Sequence, residues 1–297
     1  MLVIGFDDYR PQAQGLANAL AANYQEINRH TFPDGESLIK APTELPEHVV
    51  LVRSLNQPNS KIIELLFSAS TLRKHGAKRI TLVAPYLCYM RQDTENHPGE
   101  AVSQQVIGKL LAEHFDDVIT VDPHLHRISK LFQAIPIQNA LAISAGNAIG
   151  QFLKNNHSQG ILFGPDSESE QWVKEIATEI GFSYAVATKT RTGDKQVNVH
   201  IPQQDYQNQN IIIIDDITST GRTIARAAEK LLQAGARQVD AVVTHALFCS
   251  DTEHVIKQSG VKNVWSTDSI AHPTNAIALA ELLAKHIEAI TTGSLGN

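Results

Sequence analysis

Two adjacent carboxylates, Asp215 and Asp216, stand between a run of four isoleucines and a short stretch of small and hydroxyl side chains, Thr218, Ser219, Thr220, Gly221, Arg222 and Thr223. Each part suits the capture of a sugar phosphate. Small side chains let backbone N–H groups approach a phosphate closely, and the N-terminus of a following helix adds partial positive charge and unpaired donors. Carboxylates just upstream can accept hydrogen bonds from sugar hydroxyls or meet a metal ion. No Gly-Lys-Ser/Thr follows a GxxxxG, so the segment is not a Walker loop. The plain alternative is a helix cap without a ligand, for which Asp and Thr are favoured. Four isoleucines feeding two acids and a TSTGRT run exceed what a cap requires.

Other groups able to do chemistry follow apolar runs. Phe32-Pro-Asp-Gly-Glu36 reads locally as a Pro-Asp-Gly turn. Arg91 leaves a strand, where a guanidinium suits a polyphosphate as well as plain solvent. His124 and Asp166 each end a strand, and a lone Asp there is most often a helix cap. Lys189 and Arg191 are two residues apart, so on an extended segment they point to one side. Read without a family, the same run is a solvated one.

The elements that must position these groups are legible as a pattern. Short β-branched runs recur at 49–52, 80–83, 118–121, 161–163, 211–214 and 239–243, and helix-length amphipathic segments lie between them, such as 60–75 and 223–234. In the first, Ile62, Ile63, Leu66, Ala69 and Leu72 are spaced to face a core, with Gly76 as the C-cap. Nearly all-apolar strands alternating with helices predict parallel sheets covered on both faces. A weak internal repeat aligns 72–83 with 231–242 at an offset of 159, and 117–122 with 263–268 at an offset of 146. Two copies of one α/β domain, with a boundary near 140–150, account for both.

Composition narrows the classes further. The chain has 297 residues, 42% hydrophobic and 19% charged, enough for a sizeable core and for two domains. Its formal charge of −6 gives no general attraction to nucleic acid or anionic lipid, so a phosphate ligand must be held by local geometry. Two distant cysteines, Cys88 and Cys249, argue against a disulfide framework or a thiolate zinc site. The first residues reach acids too soon for a secretory signal, and no apolar run is long enough for a membrane span. The expectation is a soluble cytoplasmic protein with no nucleic-acid or membrane partner.

At Asp215, Asp216, Thr220, Gly221 and Thr223 the chain resembles the phosphoribosyl-binding loop of type I phosphoribosyltransferases and of ribose-phosphate diphosphokinases. Four further segments resemble the diphosphokinases, in their compact branch. They are Phe32-Pro-Asp-Gly-Glu36, Pro85-Tyr-Leu-Cys-Tyr-Met-Arg-Gln-Asp93 with its following Pro-Gly-Glu loop, Asp122-Pro-His124 and Gly164-Pro-Asp166. Thr188-Lys-Thr-Arg191 matches the family's Lys-x-Arg. Ser-Glu-Ser after Asp166 departs from the Gly-rich stretch usual there, and the loop 94–97 lacks the Lys or Arg that such lids carry.

The resemblance implies two tandem phosphoribosyltransferase-like domains, 1–143 on the nucleotide side and 144–297 with the ribose 5-phosphate loop, the last helix packing back on the first domain. It implies transfer of diphosphate from MgATP to ribose 5-phosphate, giving phosphoribosyl diphosphate and AMP. ATP would be bound by Phe32, Asp34, Glu36, Arg91, Gln92 and His124, and Mg2+ by His124 and Asp166. Ribose 5-phosphate would be bound by Asp215, Asp216, Thr218, Ser219, Thr220, Gly221, Arg222 and Thr223, with Lys189 and Arg191 catalytic. Because the Phe32 segment reaches ATP across a subunit interface in that family, a homo-oligomer of at least two copies is implied. A phosphoribosyltransferase that consumes phosphoribosyl diphosphate, and a non-catalytic regulatory paralogue, are the alternative readings.

Overall fold

The structure is a computed structural model and describes residues 1–157, 159–192, 196–249 and 251–294, without the side chains of 189–192 and 196–199. It divides into two units, one of Met1–Ser144, Ser269–Ala271 and Leu279–Asn297 and one of Ala145–Asp268 and His272–Ala278.

The first unit is built on β1 (Leu2–Phe6), β2 (Asn23–Thr31), β3 (Ser37–Lys40), β4 (His48–Val52), β5 (Arg79–Val83), β6 (Asp117–Val121) and β7 (Asn139–Ile143). They form one sheet in the order β3-β2-β1-β4-β5-β6-β7, parallel throughout except for β2 with β3. Helices α1 (Arg10–Ala19), α2 (Pro58–Lys74) and α3 (Ser103–His114) connect the strands. The apolar strands bury Ile4, Leu51, Ile80 and Leu82 completely, as buried parallel sheets require.

The face that α2 buries is turned from the expected one. Ile62, Leu65, Ala69 and Leu72 are buried, but so is Glu64, whereas Ile63 is exposed and Leu66 only partly covered. The cause is the buried cation Arg53, which lies against the Glu64 carboxylate.

The second unit has β8 (Ile161–Gly164), β9 (Ser183–Val186), β10 (Thr188–Thr192), β11 (Gln196–His200), β12 (Asn210–Thr218), β13 (Gln238–Ala246), β14 (Val264–Thr267) and β15 (Asn275–Ile277). Six of these form a parallel sheet in the order β15-β14-β13-β12-β8-β9, and β10 and β11 make a separate antiparallel hairpin. Its helices are α4 (Gly146–Asn156), α5 (Glu170–Ile180), α6 (Arg222–Gln233) and α7 (Thr252–Gln258). On one face Ile211 and Ile213 of β12 pack with Ile224, Ala227, Ala228 and Leu231 of α6. Full burial of an isoleucine is worth roughly 1.5–3 kcal/mol, so this face holds α6 firmly behind the strand that feeds it. A final helix, α8 (Ala280–Thr292), belongs to the first unit and packs on α1.

The two sheets carry the repeat in register. When β5 is laid on β13 at the sequence offset, Arg79 matches Gln238, and the ladders fix the rest. His48 then matches Asn210, Leu2 matches Ile161 and Asp117 matches Asn263. Strand β12 outlasts its isoleucines, because Asp215, Ile217 and Thr218 pair with Val243, His245 and Ala246 of the equally long β13. The ladder overrides the low strand propensity of aspartate.

Candidate functional site

The end of β12 and the start of α6 bring together the residues 215–223. Successive residues of a strand point to opposite faces, so Asp215 and Asp216 do not form one carboxylate pair. Asp215 is half-buried on the α6 side, and Asp216 is buried on the other, its Oδ1 accepting the Ile217 N–H at 2.8 Å. Thr218 is 3% exposed, and its Oγ1 has no hydrogen-bond partner among the described residues. A buried hydroxyl left unmatched costs about 1–3 kcal/mol, so a partner for this atom would stabilise the loop.

The helix that follows is open at its N-terminus. Gly221 is the N-cap of α6 and no side chain caps it. The N-cap position is thus taken by Gly221 and by neither aspartate. Gly221 has φ +69°, and a Cβ there would lie 2.7 Å from Ile256 Cγ1 and 3.1 Å from Thr252 Cγ2. Only glycine fits both the left-handed backbone and the space against α7. Thr220 and Arg222 are exposed, while Ser219 and Thr223 are half-buried.

Two residues outside the motif shape this loop. Cys249 N–H donates to the Ser219 carbonyl at 2.9 Å, its thiol lies 3.4 Å from Ser219 Oγ, and Thr252 Oγ1 donates to the same carbonyl. A strand's end and the next connection are close in space only after the sheet forms, so local pattern carries no sign of them.

Asp166 follows β8 and does what its local reading expects. Its Oδ1 accepts the N–H groups of Glu168 and Ser169 at 3.1 and 3.2 Å, and Ser169 closes a capping box. Lys189 and Arg191 lie on β10, facing β11 across the ladder at Val199 and Val197, and their side chains lie outside the described residues.

In the first unit the candidate ATP residues sit at the same edge of the sheet. The hairpin of β2 and β3 carries Phe32, Asp34 and Glu36 at its tip, which is pinned by Phe32 N–H to Glu36 O, Gly35 N–H to Phe32 O and Glu36 N–H to Asp34 Oδ1. The Phe32 ring is 39% exposed and meets His30 edge-on at 4.8 Å. Below the tip, Arg29 grips Asp7, and that hydrogen bond holds the Asp7 carboxyl below its usual range. Arg91 is exposed and makes no ion pair among the described residues. Gln92 accepts from Ser103 Oγ, and His124 stacks edge-on with His126 at 4.4 Å.

Backbone strain gathers along this edge. Gln57, Tyr89 and Asp122 follow β4, β5 and β6 with φ of 52°, 62° and 35°. Non-glycine residues rarely adopt such angles outside sites that constrain them.

Two tandem α/β units of one strand order, the second with a phosphate-type loop opening an uncapped helix, define a phosphoribosyltransferase-fold protein. A family model described as the N-terminal domain of ribose phosphate pyrophosphokinase matches residues 1–114, and the phosphoribosyl transferase domain matches residues 133–289. The ribose-phosphate pyrophosphokinase of Methanopyrus kandleri is 28% identical, covering 97% of this chain and 99% of that one. That of Saccharolobus solfataricus is 30% identical, covering 91% and 93%. The crystal structure of phosphoribosylpyrophosphate synthetase from Mycobacterium smegmatis is 22% identical and superposes with a TM-score of 0.82, covering 98% of this chain and 99% of that one. The chain belongs to the ribose-phosphate pyrophosphokinase family.

Proposed function

We propose that this chain transfers the diphosphoryl group of MgATP to the anomeric hydroxyl of ribose 5-phosphate. The hydroxyl oxygen bonds to the β-phosphorus, the bridge between the α- and β-phosphorus breaks, and its oxygen leaves on AMP. The hydroxyl proton is released as the product, phosphoribosyl diphosphate, forms. The observation that carries this reading is the open N-terminus of α6 beside the buried, unmatched Thr218 hydroxyl.

In this reading the phosphate of the sugar is held by backbone amides of 218–223 and by the side chains of Thr218, Ser219, Thr220, Arg222 and Thr223. Asp215 and Asp216 take the ribose hydroxyls. Phe32, Asp34 and Glu36 take the adenine end, with Arg91, Gln92 and His124 on the triphosphate. Phosphoryl transfer asks mainly for positioning and charge neutralisation. Lys189 and Arg191 supply that charge, so no general base is required. Mg2+, a hard cation that prefers oxygen ligands, would reach the chain on the triphosphate and draw charge from its oxygens. The carboxylates of Asp166, Asp215 and Asp216 are oxygen donors of the kind it takes, whereas His124 fits its water shell. The segment 94–99, folded over the carboxylates of Glu95 and Glu100, is the lid that excludes water. A homo-oligomer in the cytoplasm completes the proposal.

The test is release of AMP from ATP, Mg2+ and ribose 5-phosphate, with each nucleoside triphosphate supplied in turn. AMP that appears only when the sugar phosphate is present supports the synthetase. Diphosphate released from phosphoribosyl diphosphate and a base, without AMP, overturns it in favour of a transferase. Absence of either turnover overturns it in favour of the regulatory paralogue.

A further inference from the structure

We infer that Arg53 and Glu64 are positioning residues for the nucleotide end of the reaction: a buried charge core that fills the carboxyl edge of the first sheet and holds the hairpin bearing Phe32, Asp34 and Glu36. This rests on the reading of that hairpin as an ATP contact.

The starting point is the matched ladders. Val52 pairs with Val83 as Ile214 pairs with Val242, so the next residues, Arg53 and Ser54, fall where the second unit has Asp215 and Asp216. Ligands of open α/β sheets bind beyond this edge, and β1 and β4 flank the point where strand order reverses. In the first unit charged side chains meet there. Arg53 is fully buried, with its guanidinium carbon 4.0 Å over the Phe6 ring. Nε and Nη2 lie 3.3 and 3.1 Å from Asp8 Oδ2. Nη1 lies 2.6 Å from Glu64 Oε2, a coulombic contact, since neither atom has a hydrogen-bond partner among the described residues. Lys61 adds a second cation 3.4 Å from Asp8 Oδ2 and donates to Ser54 O and Asn56 Oδ1.

What this core holds is the hairpin. Parallel pairing of β2 with β1 stops at Ile27 opposite Phe6. Beyond it, residues 28–31 pair only with 37–40 of β3, so the hairpin overhangs the sheet. A two-stranded ribbon is marginal by itself. Two of its polar ties to the body run to Glu64 of the charge core, and a third runs to Asp7 next to Asp8. Ser37 Oγ donates to Glu64 Oε1 at 2.9 Å, Arg29 Nη1 lies 4.0 Å from that oxygen, and Arg29 grips Asp7. Ser37 is the residue next to Glu36. Glu64 therefore holds the base of the tip, and Arg53 holds Glu64.

The test compares full-length Arg53→Met, Ser37→Ala and Phe32→Ala by steady-state AMP release, with thermal melts as a check on folding. We expect Arg53→Met to raise KM for ATP about tenfold, a misplacement effect, with KM for ribose 5-phosphate unchanged and kcat nearly so. Ser37→Ala, which leaves the Arg53–Glu64 pair in place, should raise KM for ATP about threefold in a protein that still melts as a folded one. Arg53→Met combined with Phe32→Ala should cost no more in KM for ATP than Phe32→Ala alone. If Phe32→Ala raises KM for ATP but Ser37→Ala and folded Arg53→Met do not, the inference is overturned while the hairpin reading stands. If Phe32→Ala leaves KM for ATP unchanged, the hairpin reading itself fails. Should Arg53→Met not fold, Ser37→Ala alone decides.

Discussion

At matched positions in its two ladders the chain puts one scaffold to opposite uses. β12 ends in Asp215 and Asp216, with an unmatched hydroxyl at Thr218 and an uncapped helix behind a glycine that admits no side chain. β4 ends in Arg53 and Ser54, and the space beyond is taken by a guanidinium, two carboxylates and a lysine. The fold decides where a strand ends. What that end holds depends on the size of the next side chains and on whether their charges are answered from within.

The largest effect that tests this contrast is on turnover. Lys189→Ala should lower kcat for AMP release about 10³-fold, the loss expected when a preorganised charge is removed, while calorimetric binding of ribose 5-phosphate stays within about twofold. Counting on from the ladder, its match in the first unit is Arg29. Arg29→Ala should leave kcat within about tenfold, because that cation serves the hairpin. Equal losses in kcat would break the comparison.

Stability should separate the two edges in the other direction. Arg53→Ala leaves Glu64 buried and unpaired and should cost about 3–5 kcal/mol in urea unfolding. Asp215→Ala, at the matching position but half-buried, should cost less than ~1 kcal/mol while abolishing binding of ribose 5-phosphate. Gly221→Ala meets Ile256 and a disfavoured φ, and should cost about 2 kcal/mol and lower ribose 5-phosphate affinity by more than tenfold. In the first unit Gly35, also at positive φ but with open space around it, should tolerate alanine at about 1 kcal/mol.

Smaller effects sharpen the picture. Thr218→Val replaces the unmatched hydroxyl by a methyl group, so its melting temperature should hold or rise, whereas KM for ribose 5-phosphate rises about tenfold. A variant that loses stability instead would mean the hydroxyl is already answered. The weakest signal is in acid. The Arg29 hydrogen bond lowers the Asp7 pKa on folding, so its contribution is present above the unfolded value and is lost as pH falls through the folded one. Asp7→Asn should therefore melt lower at neutral pH and lose less on acidification, in melts taken from neutral to strongly acidic buffer.

Much of this was legible in the sequence, and the reasons differ by element. The offsets of 159 and 146 are the ladder registers themselves, because a helix end, a Gly-Ala turn and the next strand form one local unit. The 215–223 stretch was legible as a strand end, a turn and a helix start because all three lie in one continuous run of residues. Arg53 was not. One residue past an apolar strand it reads as solvated, and its burial depends on Asp8, 45 residues away. Glu64 was hidden for the same reason, lying on a helix whose apolar spacing alone turned the wrong face inward. Asp166 combines both cases: its capping role is local and visible, whereas a metal role depends on groups brought from elsewhere.

The last helix has a consequence for how the molecule is made. α8 packs on α1, Ala280 Cβ approaches Gly15, and the Ile290 carbonyl accepts from Arg79, itself clamped on Asp117. The first unit is thus closed by a helix translated after the whole of the second, so it cannot be finished until the second has been made. Folding of the first unit is thereby tied to synthesis of the second, and a chain stopped before α8 would lack the piece that packs on α1.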